Sequence, residues 1–331
     1  MTLRDFRPAD PSELESVLRL REQVFPGLDL PRERRRWQWE FDENPCSIDA
    51  VPASWVLVQK ERIVGNYGLL PCRVFIDGEP VQAFSGIDFA IDPKLQGKGL
   101  GHLIAERFMD PAFCAFPFIT SPTPATCHLM QKYGGSVLVG AGEPCLWVLP
   151  LDRVRDRSRP DAGADLRPIA SFDRRHDELA LRLSRLSRIQ TVRDAAYLNW
   201  RYRDYPFGRP VMVEAVSGAG ALHGFAVFQY DPNLRQGYLL ELFIDPREAR
   251  PATALIEHAI RAAAEAGANE LYTLNRVPGI QELLRAAGFQ RVDTHPLQFV
   301  CRPPGGGPAA ADWYLTSGDG DLLFGVGDLP A

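Results

Sequence analysis

The chain has 331 residues, enough for two domains that each bury a hydrophobic core. Hydrophobic residues make up 45% of it and charged residues 24%, which is typical of a globular protein. The net charge of −5 argues against a general attraction to nucleic acid or to an anionic membrane. The first ten residues contain no apolar signal core, and no apolar run approaches the ~20 residues of a membrane span.

The cysteine and histidine positions predict neither a disulfide framework nor a metal site. The six cysteines form no CxxC pair and mostly have apolar neighbours, which indicates reduced, buried thiols. The six histidines are scattered, without the spacing of metal ligands. We therefore expect a cytoplasmic protein that holds no metal.

The first half of the chain alternates between helix and strand patterns. Apolar residues spaced near 3.6 predict helices over residues 13–24, 100–108 and 126–133. Runs of apolar and β-branched residues predict strands over residues 54–60, 63–76, 84–91, 113–120, 136–140 and 145–151. Hairpins come first and one crossover helix follows, so we expect an α/β (α+β) fold, a mixed, mostly antiparallel sheet flanked by helices.

The chain also resembles itself. "WEFDENP" at residues 39–45 matches "WRYRDYP" at residues 200–206, and "DFAIDP" at residues 88–93 matches "ELFIDP" at residues 241–246. "LIAE" from Leu103 matches "LIEH" from Leu255, and Gly134 matches Gly288. Four matches in the same order predict two copies of one unit of ~150 residues, a usual size for a domain.

The domain boundaries are predicted from composition. Residues 1–150 form the first domain, and the charged, Pro- and Gly-containing residues 151–167 form a linker. Residues 168–301 form the second domain. Residues 302–331 form a C-terminal tail, in which "WYLTSGDGDLLF" is able to add a strand.

A glycine-rich loop follows the strand that ends near Ile91. The stretch "IDPKLQGKGLGHL", residues 91–103, has three glycines within five residues, directly before a predicted helix. Glycines at a helix start let backbone amides approach a phosphate. The spacing is not that of the P-loop, and it is one residue short of the dinucleotide fingerprint. Taken alone, the loop fits an ordinary strand-to-helix turn equally well.

In its context this loop resembles a known signature. Residues 96–101, "QGKGLG", are similar to the Q/R-x-x-G-x-G/A pattern of the GNAT superfamily, the acyl-CoA-dependent N-acyltransferases. The order of predicted elements also resembles the GNAT order, and the doubled unit resembles tandem GNAT enzymes. The resemblance implies two GNAT-like domains, of which only the first carries the loop signature.

The resemblance implies roles for the residues at matching positions. The loop would hold the pyrophosphate of coenzyme A through its backbone amides, and Lys98 would add charge near a phosphate. The strand end at Phe89, Ala90 and Ile91 would pair with the pantetheine arm and supply a backbone donor for the oxyanion. The implied co-substrate is acetyl-CoA or another acyl-CoA. The residues expected at the loop are Gln96, Gly97, Lys98, Gly99, Leu100 and Gly101.

The second copy lacks these features. The positions that match the loop hold no glycine, and Pro251 has no N–H to donate. We therefore expect the second domain not to bind coenzyme A but to shape the acceptor site, with Glu241 as its substrate residue. The matching positions are Ala249, Arg250, Pro251, Ala252, Thr253 and Ala254.

Catalysis of amide formation from an amine and a thioester needs a base for the amine, a donor for the oxyanion and an acid for the leaving thiolate. Many GNAT enzymes use a tyrosine four residues before a glycine as the acid, but this position is Met130 here. We expect Tyr133, one turn later on the same predicted helix, as its substitute. Asp88 lies in an otherwise apolar strand and is the expected base or substrate-orienting group; a purely structural carboxylate is the alternative.

The sequence thus predicts an acyl-CoA-dependent, most simply acetyl-CoA-dependent, N-acyltransferase that acts on a small amine, without nucleic acid or membrane partners. Three alternatives remain open. One is a non-catalytic coenzyme A-binding protein, and the others are acyltransferases that use an acyl-carrier-protein or an aminoacyl-tRNA as donor. The aminoacyl-tRNA-dependent enzymes generally lack the glycine signature, and this chain has no basic excess for RNA.

Overall fold

The computed structural model describes residues 4–48, 51–120, 122–137, 146–152, 164–292, 300–302 and 313–320. The chain forms two compact units. The first comprises Met1–Val74, Val81–Leu138 and Gln298–Pro308, and the second comprises Phe75–Pro80, Val139–Leu297 and Ala309–Ala331. Each unit contains one mixed sheet with flanking helices, which confirms the predicted fold class.

The first unit contains the glycine-rich loop. Its sheet follows the order β1-β2-β3-β4-β5, then the short strand Val300–Cys301, then β6. The strands β4 and β5 are parallel, whereas the pairs β1–β2 and β2–β3 are antiparallel. The strands are β1 (Arg4–Pro8), β2 (Ser54–Gln59), β3 (Arg62–Ile76), β4 (Glu79–Ile91), β5 (Pro117–Ile119) and β6 (Ser136–Val137). The helices are α1 (Leu14–Val24), α2 (Leu30–Trp37), α3 (Leu100–Phe108) and α4 (Pro124–Gln131).

Helix α3 is positioned by one apolar face. Leu100, Ile104, Ala105 and Phe108 are buried, and their spacing places them on the side of the helix that faces the sheet. Three of them join a core cluster that also contains Met130 of α4. Because this face is fixed in the core, the start of α3 and the loop before it lie at a defined place beside the end of β4.

The second unit repeats this plan. Its sheet follows the order β14-β7-β13-β12-β11-β10-β8, and only β12 and β13 are parallel among its described pairs. The strands of this sheet are β7 (Leu146–Pro150), β8 (Asp165–Pro168), β10 (Val211–Val216), β11 (Leu222–Asp231), β12 (Gln236–Ile244), β13 (Glu270–Leu274) and β14 (Gln290–Val292), and the unit also contains the separate strand β9 (Ile189–Thr191). The helices are α5 (Arg174–Arg182), α6 (Ala195–Leu198), α7 (Ala249–Glu265) and α8 (Pro278–Ala286).

A rare element occurs at the matching position of both units. π-helical turns span Gln38–Asp42 and Asn199–Arg203, within the two tryptophan motifs that match in sequence. The tryptophans are buried, with Trp39 0% and Trp200 4% exposed. Because π-helical turns are uncommon, their occurrence in both motifs supports the predicted duplication.

The units differ from the predicted domains at three places. Leu146–Pro150 ends the predicted first domain but pairs with β13 and β14 in the second sheet. Val300–Cys301 ends the predicted second domain but pairs with β5 and β6 in the first sheet. Asp165–Pro168, which was predicted as linker, is an edge strand beside β10. The short strand Trp313–Tyr314 pairs with β9, as expected for the tail.

Two further expectations concern the cysteines and membrane-spanning helices. Five cysteines lie in described parts of the chain, and all five are buried and reduced, while Cys145 lies outside them. Burial raises the pKa of the Cys114 thiol to about 12, which keeps it protonated and inert near neutral pH. No helix in the described ranges is long and apolar enough to cross a membrane.

Candidate active site

The glycine-rich loop connects β4 to α3 through a short 3-10 turn, Pro93–Leu95. The Asp92 side chain caps that turn by accepting a hydrogen bond from the Lys94 backbone N–H at 2.9 Å. Gly97 and Gly99 then adopt left-handed conformations, with φ of 74° and 78°, which other residues adopt only with strain. A Cβ at either glycine would meet no heavy atom within 4 Å. These two glycines are therefore required by backbone conformation, and the space beside them is open to a ligand.

The start of α3 is suited to an anion. Gly99 is the N-cap residue, and no side chain caps the helix there. A helix N-terminus carries a partial positive charge and backbone N–H groups that lack intrahelical partners. A phosphate at this position would bind those N–H groups without competition from a capping side chain.

The third glycine of the signature has a different task. A Cβ at Gly101 would lie 3.2 Å from Leu129 Cδ2 and 3.3 Å from Phe89 Cζ. Gly101 therefore allows α3 to pack closely against α4 and β4. It fixes the helix, whereas Gly97 and Gly99 shape the loop.

The exposed polar side chains of the loop bind its own backbone. Gln96 Nε2 donates to the Ile91 carbonyl at 3.1 Å, and Lys98 Nζ donates to the Lys94 carbonyl at 2.8 Å. These bonds stabilise the curved path from the strand end to the helix. They also hold the Lys98 ammonium beside the loop, at the place where a bound phosphate would gain from a positive charge.

The end of β4 extends beyond its neighbour β5. Phe84 pairs with Pro117 and Ser85 with Phe118, and no further β4–β5 pairs occur in the described ranges. Asp88 has a φ of 56°, so the strand is distorted just where it extends past β5. Ala90 is fully buried, and Phe89 and Ile91 pack against the core. Their side chains are thus committed to packing, and only their backbone is available to a ligand.

Asp88 is held by arginines. Its Oδ1 accepts a hydrogen bond from Arg36 Nη2 at 2.7 Å and forms an ion pair with Arg21 Nη2 at 2.8 Å. Arg21 also binds Glu33 at 2.6 Å, and Arg36 binds Glu40 at 3.3 Å. The other carboxylate oxygen of Asp88, Oδ2, is buried and has no hydrogen-bond partner among the described groups. Two guanidinium groups hold Oδ1 in place, which suits an orienting role for this carboxylate.

Tyr133 lies outside the helix on which it was predicted. Helix α4 ends at Gln131, and the backbone N–H of Tyr133 donates to the Met130 carbonyl in the turn that follows. Met130 itself is fully buried. The Tyr133 hydroxyl lies 3.1 Å from Nδ1 of His102, which is in the first turn of α3. Sequence reasoning missed His102, because only the fold brings residues 102 and 133 together.

The matching loop of the second unit is replaced by helix. Helix α7 already begins at Ala249, and the Ala252 backbone N–H donates to the Glu248 carbonyl at 3.1 Å. Ala252 is fully buried. The acidic Glu248 precedes the helix and pairs with His223. The Ala252 N–H, at the position that matches Gly99, is thus engaged in a helix bond.

Glu241 matches Asp88 in sequence but is enclosed in the core of the second unit. Its Oε2 accepts hydrogen bonds from Arg193 Nε at 2.9 Å and from the Tyr202 hydroxyl at 3.0 Å. Glu241 is 1% exposed, and burial raises its pKa. A side chain with this exposure does not reach a dissolved acceptor, so the geometry opposes the predicted substrate role and favours a structural one.

The second unit also fills its own strand gap. β12 and β13 pair only from Gln236 with Glu270 to Tyr238 with Tyr272, and β12 then continues to Ile244. The segment 313–320 lies between the two strand ends. The Tyr314 hydroxyl donates to the Leu242 carbonyl at 2.7 Å, and Ser317 Oγ accepts from the Leu274 N–H at 2.7 Å. The edge that is open in β4 is therefore occupied in β12 by the chain itself.

Comparison with known proteins agrees with this geometry. Residues 5–115 match the model of a family described as the acetyltransferase (GNAT) domain. No curated protein matches the sequence. The match includes the whole glycine loop and β4, and it confirms the resemblance predicted from the sequence.

Solved structures share the fold of nearly the whole chain. A GCN5-related N-acetyltransferase from Kribbella flavida is 16% identical, with a TM-score of 0.65, and the match covers 91% of this chain and 71% of that protein. One from Anabaena variabilis is 14% identical, with a TM-score of 0.64 and coverage of 90% and 72%. Saccharomyces cerevisiae N-myristoyltransferase with bound myristoyl-CoA is 13% identical, with a TM-score of 0.55 and coverage of 93% and 84%. At these identities the likeness establishes the fold.

Residues 5–115 therefore resemble a GNAT acetyltransferase domain, and nearly the whole chain shares the fold of the two GCN5-related N-acetyltransferases.

Proposed function

We propose that this chain transfers an acyl group, most simply acetyl, from coenzyme A to the amine of a small molecule. One observation carries the proposal. The open, left-handed Gly97–Gly99 turn stands at the uncapped start of α3, directly after the strand end of β4 that β5 leaves unpaired. The backbone of the loop matches the diphosphate of coenzyme A, because helix-start amides bind anions. The unpaired edge of β4 next to it matches the amide-rich pantetheine arm, which is able to pair with a strand.

The residues of the loop and strand then have defined tasks. The backbone amides of residues 97–101 bind the diphosphate, and the Lys98 ammonium adds positive charge beside it. The backbone of Phe89, Ala90 and Ile91 pairs with the pantetheine arm in the manner of an added strand. A backbone N–H at this strand end binds the thioester oxygen as negative charge develops on it.

The reaction joins the acceptor nitrogen to the thioester carbon. The neutral amine attacks the carbonyl carbon, a tetrahedral oxyanion forms, and the C–S bond breaks as the amide forms. We propose that the Asp88 carboxylate, whose side chain is 11% exposed and is held by Arg21 and Arg36, orients the amine. The proton of the amine leaves to water, and the coenzyme A thiolate takes one from water; a thiol of pKa near ~8.5 needs little help to leave.

Turnover and binding test the proposal separately. The chain is incubated with acetyl-CoA and a panel of small primary amines, and free thiol and product mass are measured. Thiol release that depends on an amine, with a product heavier by one acetyl group, is the expected result. Thiol release without an acceptor would indicate hydrolysis only, and binding of coenzyme A without turnover of any acyl-CoA would indicate the non-catalytic alternative.

Binding itself is read as thermal stabilisation. A ligand at a hundredfold excess over its Kd stabilises the folded chain by ~2.7 kcal/mol. No shift in Tm at millimolar coenzyme A would contradict both the catalytic proposal and the non-catalytic alternative.

A further inference from the structure

His102 and Tyr133 form a pair beside the glycine loop. His102 is the third residue of α3, and its backbone N–H donates to the Gly99 carbonyl at 3.3 Å. Its Nδ1 lies 3.1 Å from the Tyr133 hydroxyl, and the two rings meet edge to face with centroids 5.9 Å apart. Both side chains are partly exposed. The pair therefore lies at the surface, within one helical turn of the proposed diphosphate site.

The direction of the helix aims His102 at the loop. Cα–Cβ bonds in an α-helix tilt toward the N-terminus, so a side chain in the first turn leans back over the residues before it. The neighbouring Gly101 packs against Leu129 and Phe89, which fixes the rotation of the helix. His102 thus lies in the first turn of α3, and its contact with Tyr133 places it on the side of the helix next to the turn that follows α4.

Tyr133 can determine the tautomer of this histidine. When the Tyr133 hydroxyl donates to Nδ1, the neutral imidazole carries its proton on Nε2, because only one ring nitrogen is protonated. No described group binds Nε2. This arrangement leaves a hydrogen-bond donor on the far side of the ring, available to an oxyanion.

We propose that the His102–Tyr133 pair recognises the diphosphate of the coenzyme, with His102 Nε2–H as donor and Tyr133 as the positioning residue that orients the ring. The inference rests on the proposed function, since it adds a side-chain donor to the backbone site of that function. It gives Tyr133 a role in coenzyme affinity in place of the predicted role as acid for the thiolate.

Substitutions at His102 test the donor. His102→Leu removes both ring nitrogens, whereas His102→Gln retains an N–H near the position of Nε2. A hydrogen bond to a charged group contributes enough that His102→Leu should raise the Kd for coenzyme A by about ten- to a hundredfold, while His102→Gln should retain most of the affinity. Glu106→Leu, an exposed change one turn further along the same helix, is the matched control and should leave the Kd unchanged.

Ligand fragments identify the group that is recognised. Pantetheine lacks the diphosphate, so its affinity should be the same for wild type and His102→Leu. Dephospho-coenzyme A keeps the diphosphate and lacks the 3′-phosphate, so His102→Leu should weaken its binding as much as it weakens the binding of coenzyme A. A loss confined to coenzyme A would mean that the 3′-phosphate is recognised instead and would overturn the proposal.

Tyr133→Phe separates positioning from acid catalysis. We expect it to raise the Kd for coenzyme A, to have little additional effect in the His102→Leu background, and to leave kcat at saturating acetyl-CoA nearly unchanged. A large fall in kcat with an unchanged Kd would assign Tyr133 as the acid and overturn the proposal. Equal losses for coenzyme A and pantetheine would indicate a merely structural pair.

If wild type binds no coenzyme A, the proposed function itself fails; if wild type binds and the variants match it, only this inference fails.

Discussion

At the scale of single residues, the two matching acids of the repeat, Asp88 and Glu241, have similar partners, but only Asp88 lies next to the proposed site. Asp88 and Glu241 each form an ion pair with a buried arginine. Asp88 adjoins the open end of β4, whereas both Arg193 and Glu241 are buried behind segment 313–320. The same carboxylate–arginine unit can therefore serve the reaction in one copy and only the packing in the other.

Substitution of the two acids should separate these roles. Asp88→Asn keeps the shape and removes the charge, so we expect coenzyme A to bind as before while turnover falls by about 10²-fold or more. Glu241→Gln is the matched control, which should lower stability without changing turnover per folded molecule. Denaturant unfolding and steady-state kinetics on both variants make the comparison. Unchanged turnover in Asp88→Asn would make Asp88 a structural residue.

A buried histidine makes stability depend on pH. His176 is fully buried against Phe172 and Phe225, and its Nδ1 accepts from the Asp173 backbone N–H, which requires the neutral ring. Burial lowers the pKa of His176 below its ordinary value of 6.5. The neutral form is therefore favoured in the folded state. Its stabilising contribution is present above pH 6.5 and is lost as the pH falls toward the lowered pKa.

His176→Asn should reduce this dependence. Asparagine retains an acceptor for the Asp173 N–H and does not titrate. The loss of unfolding free energy between pH 7.5 and pH 5.5 should be larger for wild type than for the variant, as measured by urea unfolding. An identical loss in both proteins would show that other groups control the acid sensitivity.

At the scale of elements, the two loops of the repeat offer a direct comparison. Gly99→Glu places a negative charge at the start of α3 and obstructs the backbone, so coenzyme A binding should be lost. Because a residue with a side chain is strained in the left-handed conformation of Gly99, this variant should also lose ~1–2 kcal/mol of stability, which unfolding measurements will show. The control is Thr253→Glu at the start of α7, because Thr253 is exposed whereas Ala252 is buried. Loss of binding in the Thr253 variant alone would mean that the active loop is assigned to the wrong unit.

Segment 313–320 should stabilise the second unit without contributing to coenzyme binding. Gly318 lies where a Cβ would be 1.9 Å from the Tyr202 hydroxyl and 3.2 Å from Glu241 Oε2. Gly318→Ala therefore forces the segment away from β12, and we expect a loss of stability of about 1–3 kcal/mol, as for overpacking of a core. Coenzyme A affinity, measured well below the Tm, should not change. A stability equal to wild type would show that the segment does not hold the strand gap closed.

At the scale of the whole molecule, a chain with two copies of the fold should bind one coenzyme. At the described positions that match the first unit's loop and strand end, the second unit has no left-handed glycine turn, and segment 313–320 occupies the edge of β12. Calorimetric titration of coenzyme A should give a stoichiometry near one per chain, and Thr253→Glu should not alter it. A stoichiometry of two would show that segment 313–320 yields to ligand and that the second unit is a functional site.

Part of this architecture was predictable from the sequence because it depends on local patterns. The helix over residues 100–108 agrees with the predicted range, since its apolar spacing and the preceding glycines both lie within a few turns of chain. The hairpin between β2 and β3 was likewise predicted, and Lys60 and Glu61 adopt the positive φ of a tight turn. The loop signature and the degenerate second copy were also readable directly, because glycine and proline constrain the backbone where they stand.

Tertiary structure alone decided the features that depend on distant pairing. Sequence similarity marks where each copy ends, but the last strand of each copy, Leu146–Pro150 and Val300–Cys301, hydrogen-bonds in the other sheet, which no local pattern encodes. The arginine partners of Asp88, the burial of Glu241 and Ala252, and the approach of Tyr133 to His102 have the same origin. The sequence by itself determined the fold class and the glycine-rich turn, because periodicity and glycine act locally. Packing decided which side chains contact one another, because their partners lie tens of residues away along the chain.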